Sequence, residues 1–483
     1  MMKRLYLTFA VCIAMSATSA AAQPASTSPT IAARKDQPSS GIPGHGPIAR
    51  SITDASARVM LESGDAQAGA SAAAPDFYAP DAQLREYVLD ALDRNPGIQE
   101  AAARYRAALQ RVPQATSLPD PTLLIGQSIS TPETRVGSQL NTFTLTQAYP
   151  WFGKRELRGE VAGQEAAATQ QMYRARQRQV IADVKTAFYN LAYVDDALGI
   201  SGEERLLLDH YEQLAQARYA TGQGMQQAVI KIQVEITRVT NRLRILSQQR
   251  DTLAARLNTL RDRPPEEPVP PLGTVASIPA VALDLPLLYR LGEDHRQELL
   301  ASRALITRDE KAVDLAKKDY RPDLMFGISY ANVIGRDVLP APSDNGRNSL
   351  VVSVGLTLPV WRGKYVADVQ QAAEDLSAQH LGTAALVNEI QFAIRDSVVR
   401  VQTLADQTAL FDKVLIPQAA ESLKSTESAY ETGQAGVLDL LDSERLLLQV
   451  RLGNARQRAD YLLALAALER AVGTAFPEVT RIR

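Results

Sequence analysis

The pentapeptide Tyr219-Ala220-Thr221-Gly222-Gln223 returns 211 residues later as Tyr430-Glu431-Thr432-Gly433-Gln434. Long helix-forming sequence runs into each copy and out of it. A glycine there takes positive φ without a Cβ clash, which suits the tip of a helical hairpin. Two further landmarks repeat, Asp120 with Asp323 and Pro150 with Pro359, at offsets of 203 and 209. A chain that builds one long hairpin twice folds as one elongated body of two related halves. Separate domains, roughly three at this length of 483 residues, are the poorer reading.

Each half reads helix, strand, loop, strand, very long helix, tip, helix. The first half, residues 81–262, opens with helical spacing from Leu84 to Gln114, restarted at Asn95-Pro96. Strands follow at about 121–130 and 140–149, with apolar residues alternating with small polar ones around a polar loop, Thr131–Gln139. Pro150 and Gly153 close the second strand, and helix runs unbroken from Arg155 to about Ala217, a reach of roughly 90 Å. Past Gly222 a return helix runs to Leu260, and the proline-rich linker 263–283 joins the halves. The second half, 284–475, predicts one helix over Leu285–Lys318, strands at about 324–333 and 349–358, a corner at Pro359 and Gly363, and a long helix to Tyr430. The last helix, to Val472, repeats Leu441, Leu448, Ala455 and Leu462 every seven residues, and Leu438, Leu452, Ala459 and Ala466 in the same rhythm, with Arg445 interrupting. That is a coiled-coil seam. Aromatics at 6 % and abundant Ala, Leu, Gln and Arg fit long helices.

Lys3 and Arg4, the apolar run Leu7–Met15 and Ala20–Ala22 have the three parts of a secretory signal, residues 1–22. A flexible leader, 23–80, and a tail, 476–483, complete the chain. The one cysteine, Cys12, lies inside the signal, so neither disulfide nor lipid attachment to a cysteine is expected after cleavage. No later segment is apolar enough for a spanning helix, and a membrane crossing would use β-strands. The four strands match transmembrane strands in length and pattern. Four cannot close a barrel, whereas three copies of four would give 12. The expected fold is therefore mainly α with membrane β: duplicated coiled-coil hairpins on a barrel shared among copies, in a bacterial outer membrane.

The duplicated plan, Tyr430-x-x-Gly433 followed by Leu438-Asp439-x-x-Asp442, and the proline-bounded strands resemble the TolC family of outer-membrane efflux channels over about residues 80–475. The resemblance implies a homotrimer with a 12-stranded barrel in outer-membrane lipid, continued by a helical tunnel through the periplasm. It implies a periplasmic adaptor protein and an inner-membrane RND-type pump as partners. It also implies that Tyr430, Asp439 and Asp442 narrow the periplasmic opening. Six carboxylates from three copies would attract cations and raise one another's pKa. The other reading of Asp439 and Asp442 is an acidic pair favoured by the dipole at a helix N-terminus. The first half departs from the pattern, with Ala228 where symmetry would put a carboxylate. Thr131–Gly137 and Tyr149–Lys154 resemble the heavy-metal, CzcC/CusC-like branch.

His45, His210, His295 and His380 are scattered and the methionines do not cluster. No metal site and no cofactor are expected, and any metal selectivity falls to pump and adaptor. No nucleophile–base constellation or phosphate loop appears, so no enzyme is expected. A net charge of −2 gives no reason to expect nucleic acid. Arg174, Arg176 and Arg178 read as solvated helix surface. Trp151 and Trp361 read either as membrane-interface aromatics or as corner packing. Drug efflux, type I secretion and an exported coiled-coil adaptor are the competing functions.

Overall fold

The computed structural model describes residues 75–130, 132–272, 281, 283–341 and 343–475. The expected signal 1–22, the leader up to residue 74, the centre of the linker and the tail 476–483 lie outside the described residues.

The first half runs α1 (Ala82–Arg94), α2 (Pro96–Thr116), β1 (Thr122–Gln127), β2 (Glu133–Thr134), β3 (Gly137–Tyr149), α3 (Lys154–Ala220) and α4 (Gln226–Leu260). The second runs α5 (Leu285–His295), α6 (Gln297–Lys318), β4 (Leu324–Ile334), β5 (Ser349–Leu356), α7 (Arg362–Leu410), a π turn (Phe411–Leu415), α8 (Ile416–Glu431) and α9 (Val437–Val472). At ~1.5 Å per residue the 67 residues of α3 extend about 100 Å. No single apolar stripe marks α3, because α2, α4, α6 and α9 pack around it.

Three expectations need correction. The helix expected over Leu285–Lys318 is broken at Arg296, whose extended backbone ends α5 and starts α6. The break answers the one at Asn95, but no proline marks it. Tertiary contacts hold it instead: the Arg296 guanidinium donates to the Arg470 carbonyl, and left-handed Gly473 packs against the His295 carbonyl. The helix expected to run unbroken to Tyr430 contains the π turn. Pro417 cannot donate to the Lys413 carbonyl, and the widened turn absorbs the fault. The expected loop Thr131–Gln139 contains β2 and the start of β3, so β3 has 13 residues and β1 only 6.

The sheet order is β1-β3-β4-β5, antiparallel throughout, with β2 on β3. Its register aligns Leu123, Leu145, Ile328 and Val352 in one row and Ile125, Phe143, Tyr330 and Leu350 in the next. Thr122, Thr146, Gly327 and Ser353 align on the opposite face. One face is therefore apolar across all four strands and exposed, and a slip of one residue would destroy it. At the end away from the helices, the two strand-connecting loops are tied by the Arg135–Asp344 pair and by Arg336 to Glu133 at 3.0 Å. Among the described residues no helix is long and apolar enough to cross a membrane.

The main core joins both halves through Leu84, Phe188, Leu257, Ile394 and Leu468. A buried Lys185–Glu469 pair also links them. A second core near the tips holds Leu208, Ile232, Val239, Leu440 and Leu441.

Candidate functional site

Both hairpin tips are Schellman turns. Gly222 and Gly433 are left-handed, at φ 74° and 81°. The Gln223 N–H reaches the Arg218 carbonyl at 2.9 Å, and the Gln434 N–H reaches Ala429 at 2.8 Å. The shared backbone carries different side chains. Tyr219 is exposed, whereas its equivalent Tyr430 is 6 % exposed. Arg218 of the first hairpin covers Tyr430, its guanidinium 5.0 Å from the ring centroid and bonded to the Tyr430 carbonyl. Burial raises the Tyr430 phenol pKa, against the opposing pull of Arg218.

Asp439 and Asp442 open the outgoing helix of the second tip. The Asp439 carboxylate accepts from the Gly436 N–H at 3.0 Å, satisfying a donor at the helix start. Its first-half equivalent, Ala228, cannot do this for Met225. The helix-terminal role weighed for this acidic pair thus holds for Asp439. Asp442, with 71 % of its side chain exposed, meets Arg445 at 3.2 Å. Arg445 crosses to Glu235 on α4, which also takes Arg238 at 2.6 Å. The arginine that interrupts the heptad is a bridge between hairpins. A cleft of about 420 Å³ lies between the tips, bounded by Arg218, Met225, Lys231, Tyr430 and Asp439.

Behind the tips Glu204 (α3) and Glu444 (α9) are both buried and line one groove. Arg242 donates to Glu204 at 2.8 Å, and one Glu444 oxygen has no partner. Burial pushes Glu444 up to about 8, with help from the charges of Glu204 and Glu235. Burial also carries Glu204 up to about 7, against the pull of Arg242. Glu235 is pulled the other way: burial raises it, but the Arg445 and Arg238 bonds win and hold it low.

The strand–helix corners are less alike than their sequences. Gly153, at φ 81°, is a left-handed cap for α3 beneath the Lys318 ammonium, with buried Pro150 before it. Gly363 lies inside the first turn of α7, two residues after Trp361, and Pro359 precedes the helix. Lys154, 2 % exposed, meets Asp323 at 2.9 Å, Asp319 at 3.2 Å and the Arg321 carbonyl at 3.0 Å. The Trp151 N–H adds a bond to Asp323 at 2.8 Å.

Arg218, Glu204, Glu235 and Glu444 escape sequence reading, because a charged residue in a polar helix looks like surface. One signal was available: Arg218 stands where the other repeat has Ala429.

Residues 88–261 and 288–474 match the family described as "Outer membrane efflux protein", one stretch for each half. The chain belongs to the outer membrane efflux protein family. It is similar to nodulation protein T of Rhizobium leguminosarum bv. trifolii, 22 % identical over 417 residues that cover 83 % of this chain and 87 % of that one. Among solved structures it resembles VceC from Vibrio cholerae (19 % identity, TM-score 0.67, covering 82 % of this chain and 97 % of that one). It resembles CusC to the same degree (16 % identity, TM-score 0.68, covering 82 % and 94 %). The protein is an outer-membrane efflux channel that extends into the periplasm. The fold is that of the family's trimeric channels, with a strand barrel continued by a helical tunnel.

Proposed function

We propose that this chain works as a homotrimer and is the passive exit duct of a tripartite system. A periplasmic adaptor and an inner-membrane RND-type pump deliver its cargo. Tyr430, Asp439 and Asp442 form the constriction at the periplasmic end, and heavy-metal cations are the substrate class. The observation that carries the reading is the second tip itself. Two exposed carboxylates, Asp439 and Asp442, open the outgoing helix of a tip whose tyrosine, Tyr430, is held to the first hairpin by Arg218. Repeated around a three-fold axis, those carboxylates attract cations and repel anions. The resemblance of Thr131–Gly137 and Tyr149–Lys154 to the heavy-metal branch supports the cargo.

Single-channel conductance of the purified protein in a planar bilayer tests the constriction. A small, cation-favouring conductance is expected, with cation preference weakened when Asp439 and Asp442 both become Asn. Conductance indifferent to that change would remove the gate assignment and keep the channel. Cargo is tested by deleting the gene: sensitivity to Zn²⁺, Co²⁺ or Cu⁺ is expected. Sensitivity to organic drugs alone would replace the metal reading with drug efflux.

A further inference from the structure

The two halves supply the same corner twice, and only one is occupied. In both corners the lysine N–H bonds the tryptophan carbonyl three residues back, Lys154 to Trp151 and Lys364 to Trp361, each at 3.0 Å. That repeated turn makes Lys364 the counterpart of Lys154. The Pro119-Asp120 and Pro322-Asp323 pairs, each between a helix end and a strand start, make Asp120 the counterpart of Asp323. Lys154 is buried on Asp323, whereas Lys364 and Asp120 are exposed and make no ion pair with any described residue. Trp361 is 79 % exposed, and the Lys364 ammonium lies 5.6 Å from the centroid of the neighbouring Tyr365 ring.

The surrounding elements leave the same gap. α6 packs against α3 on one flank and α7 on the other, whereas among the described residues α2 has only α3 as a long-helix partner. The missing neighbour of α2 is an α7, and the missing neighbour of α7 is an α2. The sheet agrees: its open edges are β1 and β5, and the alternating directions let β5 of one copy pair antiparallel with β1 of another. Open strand edges are not tolerated in lipid, which makes this contact obligatory.

We infer that Lys364 of each copy pairs with Asp120 of the next, a latch between chains that repeats the Lys154–Asp323 latch within the chain. The inference rests on the homotrimer proposed above and specifies how its copies meet. The interchain latch has one carboxylate rather than two, since the end of α2 (Thr116, Ser117, Leu118) offers no counterpart of Asp319. Burying both charges makes the removal of either partner costly, because the other is left without compensation.

The test uses full-length trimer in detergent. Lys364→Glu and Asp120→Lys should each speed thermal dissociation on a gel by roughly tenfold, and the double reversal should recover most of that loss. Cys12 is the one native cysteine and lies in the expected signal, so thiols can be placed cleanly. Asp120→Cys with Lys364→Cys, treated with a short bis-maleimide, should give covalent dimers and trimers. Lys154→Cys with Asp323→Cys should give none. A particle with trimer mass that neither cross-links at 120/364 nor responds to the reversals overturns the latch alone. Unmodified protein with monomer mass overturns the trimer and the latch together.

Discussion

Deprotonation of the Glu204–Glu444 pair should loosen the contact between the two hairpins. Both carboxyls have folded-state pKa values, about 7 and about 8, above the ordinary 4.5. The sign follows from linkage. Above pH 4.5 the unfolded chain has released these protons while the folded chain keeps them. The stabilisation is therefore complete below pH 4.5 and is lost as pH rises through about 7 and then about 8. Each retained proton contributes a slope of about 1.4 kcal/mol per pH unit. Two such groups would give up to about 4 kcal/mol between pH 6 and pH 8. The pair lines a groove with Glu203 and Arg451, and access to water through it reduces the effect to on the order of 2 kcal/mol. The assay is hydrogen exchange of α3 and α9 peptides, corrected for the intrinsic pH dependence of exchange. Protection should fall about 30-fold from pH 6 to pH 8 if that free energy governs local opening. Glu444→Gln should remove more than half of the slope, because it deletes the group displaced further above its ordinary value. It should also leave the variant better protected than the parent at the alkaline end. Flat protection in the parent, or an unchanged slope in the variant, would refute this account of the buried pair.

The sheet and the tips give two further expectations. Val352→Arg places a charge on the apolar face and should cost about 2–4 kcal/mol, whereas Ser353→Arg on the opposite face should be tolerated. Heat-modifiable mobility and membrane recovery of the two variants would check this, and equal losses would mean that the faces are misassigned. Gly433→Ala forces a Cβ into a left-handed turn and should lower stability by about 1 kcal/mol. Gly222→Ala should do the same, and proteolysis near each tip provides the comparison.

The sequence reveals the repeat, the strands and the tips because each rests on local chemistry. Thr-Gly at a helix end marks a left-handed turn, and alternation of Phe143 and Leu145 with Thr142, Thr144 and Thr146 marks a two-faced strand. The break at Asn95 is legible through Pro96. Its counterpart at Arg296 is not, because the contacts that bend it come from Arg470 and Gly473, more than 170 residues away. Strand lengths were blurred for a similar reason, since a strand ends where its partner ends. The buried acids were hidden most completely: a glutamate becomes an unusual residue only when another helix covers it. Asp439 lies between these extremes. Its place near a helix start was readable, but the bond to Gly436 requires the backbone.

The parity of the sheet decides what other cells can meet. Two membrane-crossing strands per half, β1 and β3 and then β4 and β5, return the chain to the side it came from, so every long helix among the described residues lies on the inner side of the outer membrane. What faces outward is the pair of loops between β1 and β3 and between β4 and β5, clasped through Arg135–Asp344 and Arg336–Glu133. Among the described residues, those loops are what an antibody or a phage outside the cell would address. A binder acting from outside would therefore meet a small fraction of the described chain, and substitutions in those loops could change its grip while leaving the helical conduit untouched.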